Sequence, residues 1–370
     1  MSRVLIMAGG TGGHVIPGLA VASALRSQGA DVCWLGTASG LESTLVPAAD
    51  IPLHTIAGRG LRGSGWSRKA AAPFNISRSL WQACLLMRRL RPAVVLGMGG
   101  YASGPGGLAA WLLRIPLIIH EQNRITGLTN RLLRPLARAV FYGLPPVTAR
   151  EADSQVVGNP VPETITPAVE DGAGDDRPLR ILVLGGSQGA RTLNGVVARF
   201  FNHCDPNHAY QLWHQCGARL VDETRALYAD QTRVTPPGEG PANGADEQVP
   251  IRVDGFIDDM AAAYGWADLV IARAGALTIS ELCLARKPSI LVPLPSAVDD
   301  HQTANASYLV EQGAAVLLPQ RELDEQSLQR AIESFRSIET RQAMAAAAGS
   351  LARRDAAQRV ARSCLEWCHA

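Results

Sequence analysis

Residues 3–14 read RVLIMAGGTGGH and residues 180–191 read RILVLGGSQGAR. Each begins with a run of branched apolar residues, Val4–Met7 and Ile181–Leu184, passes through a glycine turn and opens a stretch of helical period. Short continuous apolar runs alternating with helical stretches are strands buried on both faces by crossover helices, which is the grammar of a parallel sheet. The pattern continues outward from both. Val32–Leu35, Val94–Leu96, Leu117–Ile119 and Val156–Val157 follow the first, and Ala209–Trp213, Ile251–Val253, Leu269–Ile271 and Ser289–Val292 follow the second. Helices lie between them, the first expected over Pro17–Gln28 with Gly29 as its stop, another from about Ala190. The chain therefore reads as an α/β protein of two similar Rossmann-like, doubly wound domains facing one another.

A length of 370 residues suits two domains of roughly 150 each, and 47% hydrophobic residues suffice for two cores. Disordered, collagenous and small disulfide-stapled classes are excluded. The segment GNPVPETITPAVEDGAGDDRP, residues 158–178, is rich in Pro, Gly and acid and marks a domain edge, while residues 236–248 read as a surface loop.

The formal net charge of +2 hides a division. Before Glu163 there are 16 Lys and Arg against 6 Asp and Glu, and from there on 19 against 27. No acid lies between Asp50 and Glu121. So polarised a field points to an anionic partner for the first half: phosphate, nucleic acid or a membrane surface. The seven cysteines are scattered without Cys-x-x-Cys or zinc spacing, as in a reduced cytosolic protein. The apolar run near the N-terminus stops at glycines, too short for a signal-peptide core. No window approaches the roughly 20 apolar residues of a membrane span, so any membrane is met from its surface.

Three glycine turns follow three expected strands: Gly9–His14, Gly97–Gly104 and Gly185–Ala190. Such turns admit a ligand to the backbone, and the helix that follows favours an anion, although each is also an ordinary strand-to-helix connection. Gly97, Gly99 and Ala102 fit the dinucleotide spacing G-x-G-x-x-A, but the acid expected about 20 residues on comes only at Glu121, which argues against a nicotinamide enzyme. His14 ends the first turn and suits general-base work. In the HEQN run, residues 120–123, Glu121 is an alternative base and Asn123 a reader of hydroxyls. In residues 272–295, Gly275 turns the chain into a helix whose first residues can take a pyrophosphate, while Glu281 one turn in can accept ribose hydroxyls. Thr278 and Glu281 also have the spacing of a capping box.

GGTGGH, LGMGGYASGPGGLAAW, HEQN, VVGNP, GGSQGA, FIDDMAAAY (256–264) and GALTISE (275–281), in this order over most of the chain, resemble the MurG family, the bacterial N-acetylglucosaminyltransferases that complete lipid II. The resemblance implies a GT-B fold with a deep cleft. It also implies inverting transfer of N-acetylglucosamine from UDP-N-acetylglucosamine to the 4-hydroxyl of the muramoyl sugar of lipid I, for peptidoglycan and hence cell wall synthesis. No cofactor and no fixed metal site is implied. The expected domains are 1–160, for the acceptor and the membrane, and 161–344, for the donor, with a C-terminal helix at about 345–370 joining the first. The location implied is the cytoplasmic face of the inner membrane.

Carried onto this chain, the resemblance puts donor contacts at Thr11, Gly12, Gly13, Asn123 and Ser187, at the backbone of Ile257, along Ala276, Leu277, Thr278, Ile279, Ser280 and Glu281, and at Gln302. His14 is the first candidate for the base, Glu121 the second. Two positions depart from the family. Pro162 stands where an arginine usually reaches the donor phosphate, which leaves helix ends and Arg273 to answer the charge. His301-Gln302 stands where two glutamines are common. Trp66, Phe74, Ile76, Leu80 and Trp81, interleaved with Arg68, Lys69, Arg78, Arg88 and Arg89, form an apolar and basic patch suited to an anionic leaflet. No signature of nucleic-acid binding accompanies the basic half. Another nucleotide-sugar GT-B enzyme is the nearest alternative.

Overall fold

A computed structural model of the chain describes residues 2–58, 72–148, 155–167, 177–186, 189–204, 210–228 and 251–369. The chain divides into two compact units, Met1–Pro162 with Arg353–Ala370, and Glu163–Ala352.

In the first unit the strands are β1 (Arg3–Ala8), β2 (Asp31–Gly36), β3 (Leu53–Thr55), β4 (Val94–Gly99), β5 (Leu117–Glu121), β6 (Ala139–Tyr142) and β7 (Gln155–Val156). They pair in parallel in the order β3-β2-β1-β4-β5-β6-β7. Helices α1 (Gly12–Ser27), α2 (Glu42–Ala48), α3 (Ala72–Leu90), α4 (Ser103–Leu112) and α5 (Leu128–Leu133) accompany them. The apolar run of β1 now has its reason. Val4, Ile6 and Ala8 enter the core on one face of the sheet, Leu5 and Met7 the core on the other, and all five are fully buried. Alternation along a strand buried on both sides leaves no place for a polar residue.

The second unit holds β8 (Leu179–Leu184), β9 (Tyr210–Gln215), β10 (Ile251–Asp254), β11 (Leu269–Ala272), β12 (Ser289–Leu291) and β13 (Val316–Leu317), parallel and in the order β10-β9-β8-β11-β12-β13. Its helices are α6 (Arg191–His203), α7 (Val221–Ala226), α8 (Met260–Trp266), α9 (Ala276–Ala285), α10 (His301–Glu311), α11 (Glu325–Glu333) and α12 (Ile338–Ser350). The last helix, α13 (Ala356–His369), belongs to the first unit. Its Ala357, Val360, Ala361 and Cys364, spaced to share one face, join the core that contains Val15, Val21 and Leu25 of α1.

Three local expectations are corrected. First, α1 begins at Gly12, five residues before Pro17, which lies inside it. The proline's fixed φ suits a helix, and the bond lost at its missing N–H is tolerated there. Gly12, Gly13 and His14 therefore form the first turn of α1. Second, β4 runs on through Gly99, with a register shift in its pairing against Met7 and Ala8 of β1. The dinucleotide spacing at Gly97, Gly99 and Ala102 thus falls largely within a strand. Third, the helical stretch at the end of the chain is broken at the exposed Arg353, Arg354 and Asp355 into α12 and α13, one in each unit.

Candidate active site

Each sheet reverses its winding beside its first strand: β1 lies between β2 and β4, and β8 between β9 and β11. Doubly wound sheets receive ligands at the carboxyl ends of their strands at such a switch point. The loops leaving β1, β4 and β5 hold the N-terminal candidates, and those leaving β8, β10, β11 and β12 hold the C-terminal ones.

Thr11 is the N-cap of α1, in extended conformation, and its carbonyl accepts from the N–H groups of His14 (3.2 Å) and Val15 (3.3 Å). The turn before it is pinned by Glu42, a fully buried carboxylate at the start of α2. Glu42 Oε2 accepts from the Gly10 N–H (2.9 Å), and Oε1 from the Thr37 N–H (2.9 Å) and hydroxyl (2.7 Å). The loop after β4 packs directly on this turn. Gly100 has φ of +83°, and a side chain there would overlap the Gly9 carbonyl oxygen. At Gly99, with φ of +103°, an added Cβ would lie 2.8 Å from both Cε1 and Nδ1 of His14. The second glycine run is thus the surface on which the first turn and the His14 ring rest.

The HEQN run closes the same edge. Both oxygens of the buried Glu121 carboxylate are occupied. Oε1 accepts from the Asn123 N–H (3.1 Å) and Nδ2 (3.2 Å), and Oε2 from the Gly127 N–H (3.0 Å) and Asn130 Nδ2 (2.9 Å). A carboxylate bonded in this way anchors its loop and holds the Asn123 side chain, and proton abstraction would require those bonds to break. Beside it, His14 Nδ1 lies 3.0 Å from Gln122 Oε1. Gln122 Nε2 lies 3.2 Å from His120 Nδ1, and His120 Nε2 lies 2.9 Å from the Gly158 carbonyl oxygen. Burial pushes the His120 imidazole down to about 4, against the opposing hydrogen bond to Gly158 and the charge of Glu121, so the ring is neutral.

In the second unit, Gln215 at the end of β9 ties two loops together. Its Oε1 accepts from the Gly186 N–H (3.1 Å), and its Nε2 donates to the carbonyls of Gly186 (3.3 Å) and Gly255 (3.0 Å). Ile257, just beyond, has its side chain buried, so backbone is what it can offer a ligand. The N-cap of α9 is Gly275, in extended conformation, and it makes no side-chain cap; the capping box expected from Thr278 and Glu281 does not form. Ala276, Leu277 and Thr278 make the first turn, where the positive end of the helix dipole is concentrated. One turn on, Glu281 Oε2 accepts from the buried Tyr264 hydroxyl (2.9 Å). Burial raises the Glu281 carboxyl above its usual range, and the Tyr264 bond partly offsets this. Ser280 Oγ donates to the Ala276 carbonyl (3.0 Å), and Ile279 is fully buried. On α10, Gln302 Oε1 accepts from the Leu294 N–H (2.9 Å), which orients its amide, whereas His301 Nδ1 donates to the Val298 carbonyl (2.8 Å) of its own loop.

Arg273, expected to help answer the donor charge in place of the arginine missing at Pro162, is held at the edge of the second sheet. Its guanidinium donates to the carbonyls of Val292 (3.0 Å) and Pro293 (3.2 Å) and to Gln320 Oε1 (2.6 Å), clamping the loop after β12. Ser187 lies outside the described residues, as do Trp66, Arg68 and Lys69. On α3, Leu80 packs toward the core. Phe74, Trp81 and Leu85 are 71%, 64% and 45% exposed, and with exposed Arg78 they share one face of the helix. Ile76 is exposed beside them.

The structure thus gathers Thr11, Gly12, Gly13, His14, Glu121 and Asn123 at one sheet edge, and Ile257, Ala276–Glu281 and Gln302 at the edge of the other sheet. Glu42, Gln122, Gln215 and Tyr264 are the side chains the fold adds to these sites. Glu42 and Gln215 stand in no quoted motif, and Gln122 and Tyr264, though inside the HEQN and FIDDMAAAY runs, meet partners distant in sequence, His14 and Glu281. Among the described residues, no three His, Cys, Asp or Glu side chains gather to hold a metal ion.

Two doubly wound parallel sheets with these switch-point loops are the architecture of the GT-B fold class. A solved MurG from Acinetobacter baumannii superposes with a TM-score of 0.82 at 40% identity, covering 99% of this chain and 100% of its own. The glycosyltransferase of kitacinnamycin has the same fold, with a TM-score of 0.68 at 16% identity over 99% of this chain and 98% of its own. The N-terminal domain of glycosyltransferase family 28 matches residues 4–142 and the C-terminal domain residues 180–360. Similar along nearly its whole length is the "UDP-N-acetylglucosamine--N-acetylmuramyl-(pentapeptide) pyrophosphoryl-undecaprenol N-acetylglucosamine transferase" of Alkalilimnicola ehrlichii, 53% identical over 98% of each chain. The protein of the same name from Chromohalobacter salexigens is 47% identical over 99% of this chain and 97% of its own. The chain belongs to glycosyltransferase family 28 and, within it, to the MurG family.

Proposed function

We propose that the protein transfers N-acetylglucosamine from UDP-N-acetylglucosamine to the 4-hydroxyl of the N-acetylmuramoyl sugar of lipid I, forming lipid II for peptidoglycan synthesis. The observation that carries this is the 53% identity, along 98% of both chains, to a transferase whose name states that donor and acceptor.

Inversion is a single in-line displacement. The acceptor oxygen attacks the anomeric carbon as the bond to the UDP oxygen breaks, and the hydroxyl proton passes to a base on the face opposite UDP. His14 is that base: it stands at the switch point of the first sheet, its ring seated on Gly99. Glu121 anchors the loop that presents Asn123. UDP departs with its charge facing the first turn of α9, where Ala276, Leu277 and Thr278 lie, a preorganised arrangement that favours developing negative charge. Ser187 is assigned to diphosphate binding, and Thr11, Gly12, Gly13 and Asn123 to donor binding. The backbone at Ile257 reads the uracil, Ser280 and Ile279 continue the donor wall, Glu281 accepts from the ribose hydroxyls, and the Gln302 amide, oriented by Leu294, donates to the sugar.

Purified protein given UDP-N-acetylglucosamine and a short-chain lipid I analogue will release UDP and form the disaccharide lipid. Activity with other nucleotide sugars or acceptors in preference to these overturns the reading. His14→Ala will lower turnover at saturating substrates by about 10²-fold or more, and near-normal turnover removes His14 from the role.

The acceptor is a lipid pyrophosphate, and the protein works as a peripheral enzyme on the cytoplasmic face of the inner membrane. Supporting this, no helix among the described residues is long and apolar enough to cross a membrane, and α3 exposes Phe74, Ile76, Trp81 and Leu85 beside exposed Arg78, Arg88 and Arg89. Each cation near an anionic leaflet contributes about 1 kcal/mol. Binding to anionic vesicles will fall in high salt and in a Trp81→Glu variant, whereas equal affinity for neutral vesicles rules the patch out.

A further inference from the structure

Behind the half-buried His14 in the first unit runs a buried row: Gln122, His120 and the Gly158 carbonyl. The chemistry of each link can be read from its far end. The Gly158 carbonyl only accepts, so His120 Nε2, 2.9 Å away, carries a proton. The ring is neutral, because burial opposes its second proton, so His120 Nδ1 is an acceptor. The group 3.2 Å from that Nδ1 is then the NH₂ of Gln122, and the same nitrogen lies 3.2 Å from a second acceptor, the His120 carbonyl oxygen. Reversing the amide would set its oxygen against both. Gln122 Oε1 therefore faces His14 Nδ1 at 3.0 Å, and since an amide oxygen only accepts, the proton of neutral His14 sits on Nδ1.

We propose that Gln122 and His120 are positioning residues that hold His14 as its Nδ1–H tautomer, so that Nε2 presents the lone pair that removes the acceptor's hydroxyl proton. In the transfer step Nε2 gains that proton, the acceptor oxygen forms its bond to the anomeric carbon, and UDP leaves with the electron pair of the broken bond. The opposite tautomer would turn an N–H toward the acceptor and could not accept the proton. Further restraints keep the row in register. Asn159 Nδ2 donates to the Gln122 carbonyl (3.2 Å), Gly99 backs the His14 ring, and Gln122 and His120 are buried. The proposal rests on His14 being the base, but its central claim concerns a proton position that can be observed without turnover.

Long-range ¹H–¹⁵N correlation spectra of the wild-type protein labelled at histidine decide it, with His14 assigned by the signal lost in His14→Gln. The expected result is two histidines of opposite form, His14 protonated on Nδ1 and His120 on Nε2; His14 protonated on Nε2 overturns the proposal. Gln122→Met keeps the length and removes the polar atoms. It will lower kcat by about ten- to a hundredfold, the scale of lost outer-layer orientation, with KM for both substrates within about twofold, and its His14 signals will move to a mixture of tautomers. A Gln122→Met protein with a wild-type melting profile, unchanged kcat and an unchanged His14 spectrum overturns the proposal. Should the wild type fail to transfer at all, the functional reading falls and the spectra alone judge the tautomer.

Discussion

Glu281 and Tyr264 show how one side chain sets the working range of another. Burial pushes the Glu281 carboxyl up and the Tyr264 hydroxyl draws it part of the way back. In the role proposed for Glu281, accepting from ribose hydroxyls, the ionised form is needed, so donor affinity is expected to be full above the folded pKa and lost as pH falls through it. KM for UDP-N-acetylglucosamine will therefore rise on acidification, and at a higher pH in Tyr264→Phe, which removes the opposing bond; identical profiles would disprove the coupling. Glu281→Gln will raise that KM about ten- to a hundredfold, as expected for one charged hydrogen bond of roughly 1.5–3 kcal/mol. His214 carries a second pH signature. It is fully buried between Asn194 and Tyr228, and burial pushes its imidazole down to about 3. The unfolded chain takes up that proton near its ordinary value of about 6.5. Stability is therefore complete above that pH and falls below it by up to about 1.4 kcal/mol per pH unit until the folded value is reached. The melting temperature of His214→Gln will depend less steeply on pH over this range, and parallel curves would count against it.

At the scale of elements, the two units solve one problem twice: a glycine turn leaves the first strand and a distant polar side chain pins its amide. Glu42 does so at Gly10, and Gln215 at Gly186. Glu42→Gln loses the charge and turns one of its two oxygens into a donor, facing either the Gly10 N–H or the Thr37 donors. It will cost about 1–3 kcal/mol in stability and lower kcat by loosening the turn that carries His14; an unaltered melt and kcat would deny Glu42 the role. Gly99→Ala strains a positive φ and presses on the His14 ring, so its loss will show in kcat before KM. The turns themselves were legible because glycine after an apolar strand is a local signal, as were His14, the HEQN run and the start of α9. The clamps were not. Glu42 is 32 residues from its partner and Gln122 is 108 from His14, and such pairings exist only once the sheet order is known. Pro17, so often a first helical residue, here sits inside α1 and hides its true start at Gly12, and α3 has apolar residues on two sides, Leu80 on the one that meets the core.

For the molecule as a whole, the division of charge follows the folded units. The returning segment brings Arg353, Arg354, Arg359 and Arg362 against Asp355 and Glu366 to the basic unit. That segment also completes its core, since Ala357, Val360, Ala361 and Cys364 are buried with Val15, Val21 and Leu25. A chain ending at Ala352 leaves this face of α1 uncovered, at a cost on the order of several kcal/mol if each large side chain loses about 1.5–3. Limited proteolysis will cut the first unit of the truncated protein rapidly while the second resists; equal resistance of both would show that α13 is dispensable. The arrangement also bears on the order of events during synthesis. Domains commonly close in turn as they leave the ribosome, the N-terminal one first. Here residues 163–352 form a compact unit from one continuous stretch, whereas residues 1–162 wait for residues 353–370, which are translated after that whole unit. A nascent chain that has not yet reached Arg353 therefore carries a first unit whose core is still open along α1.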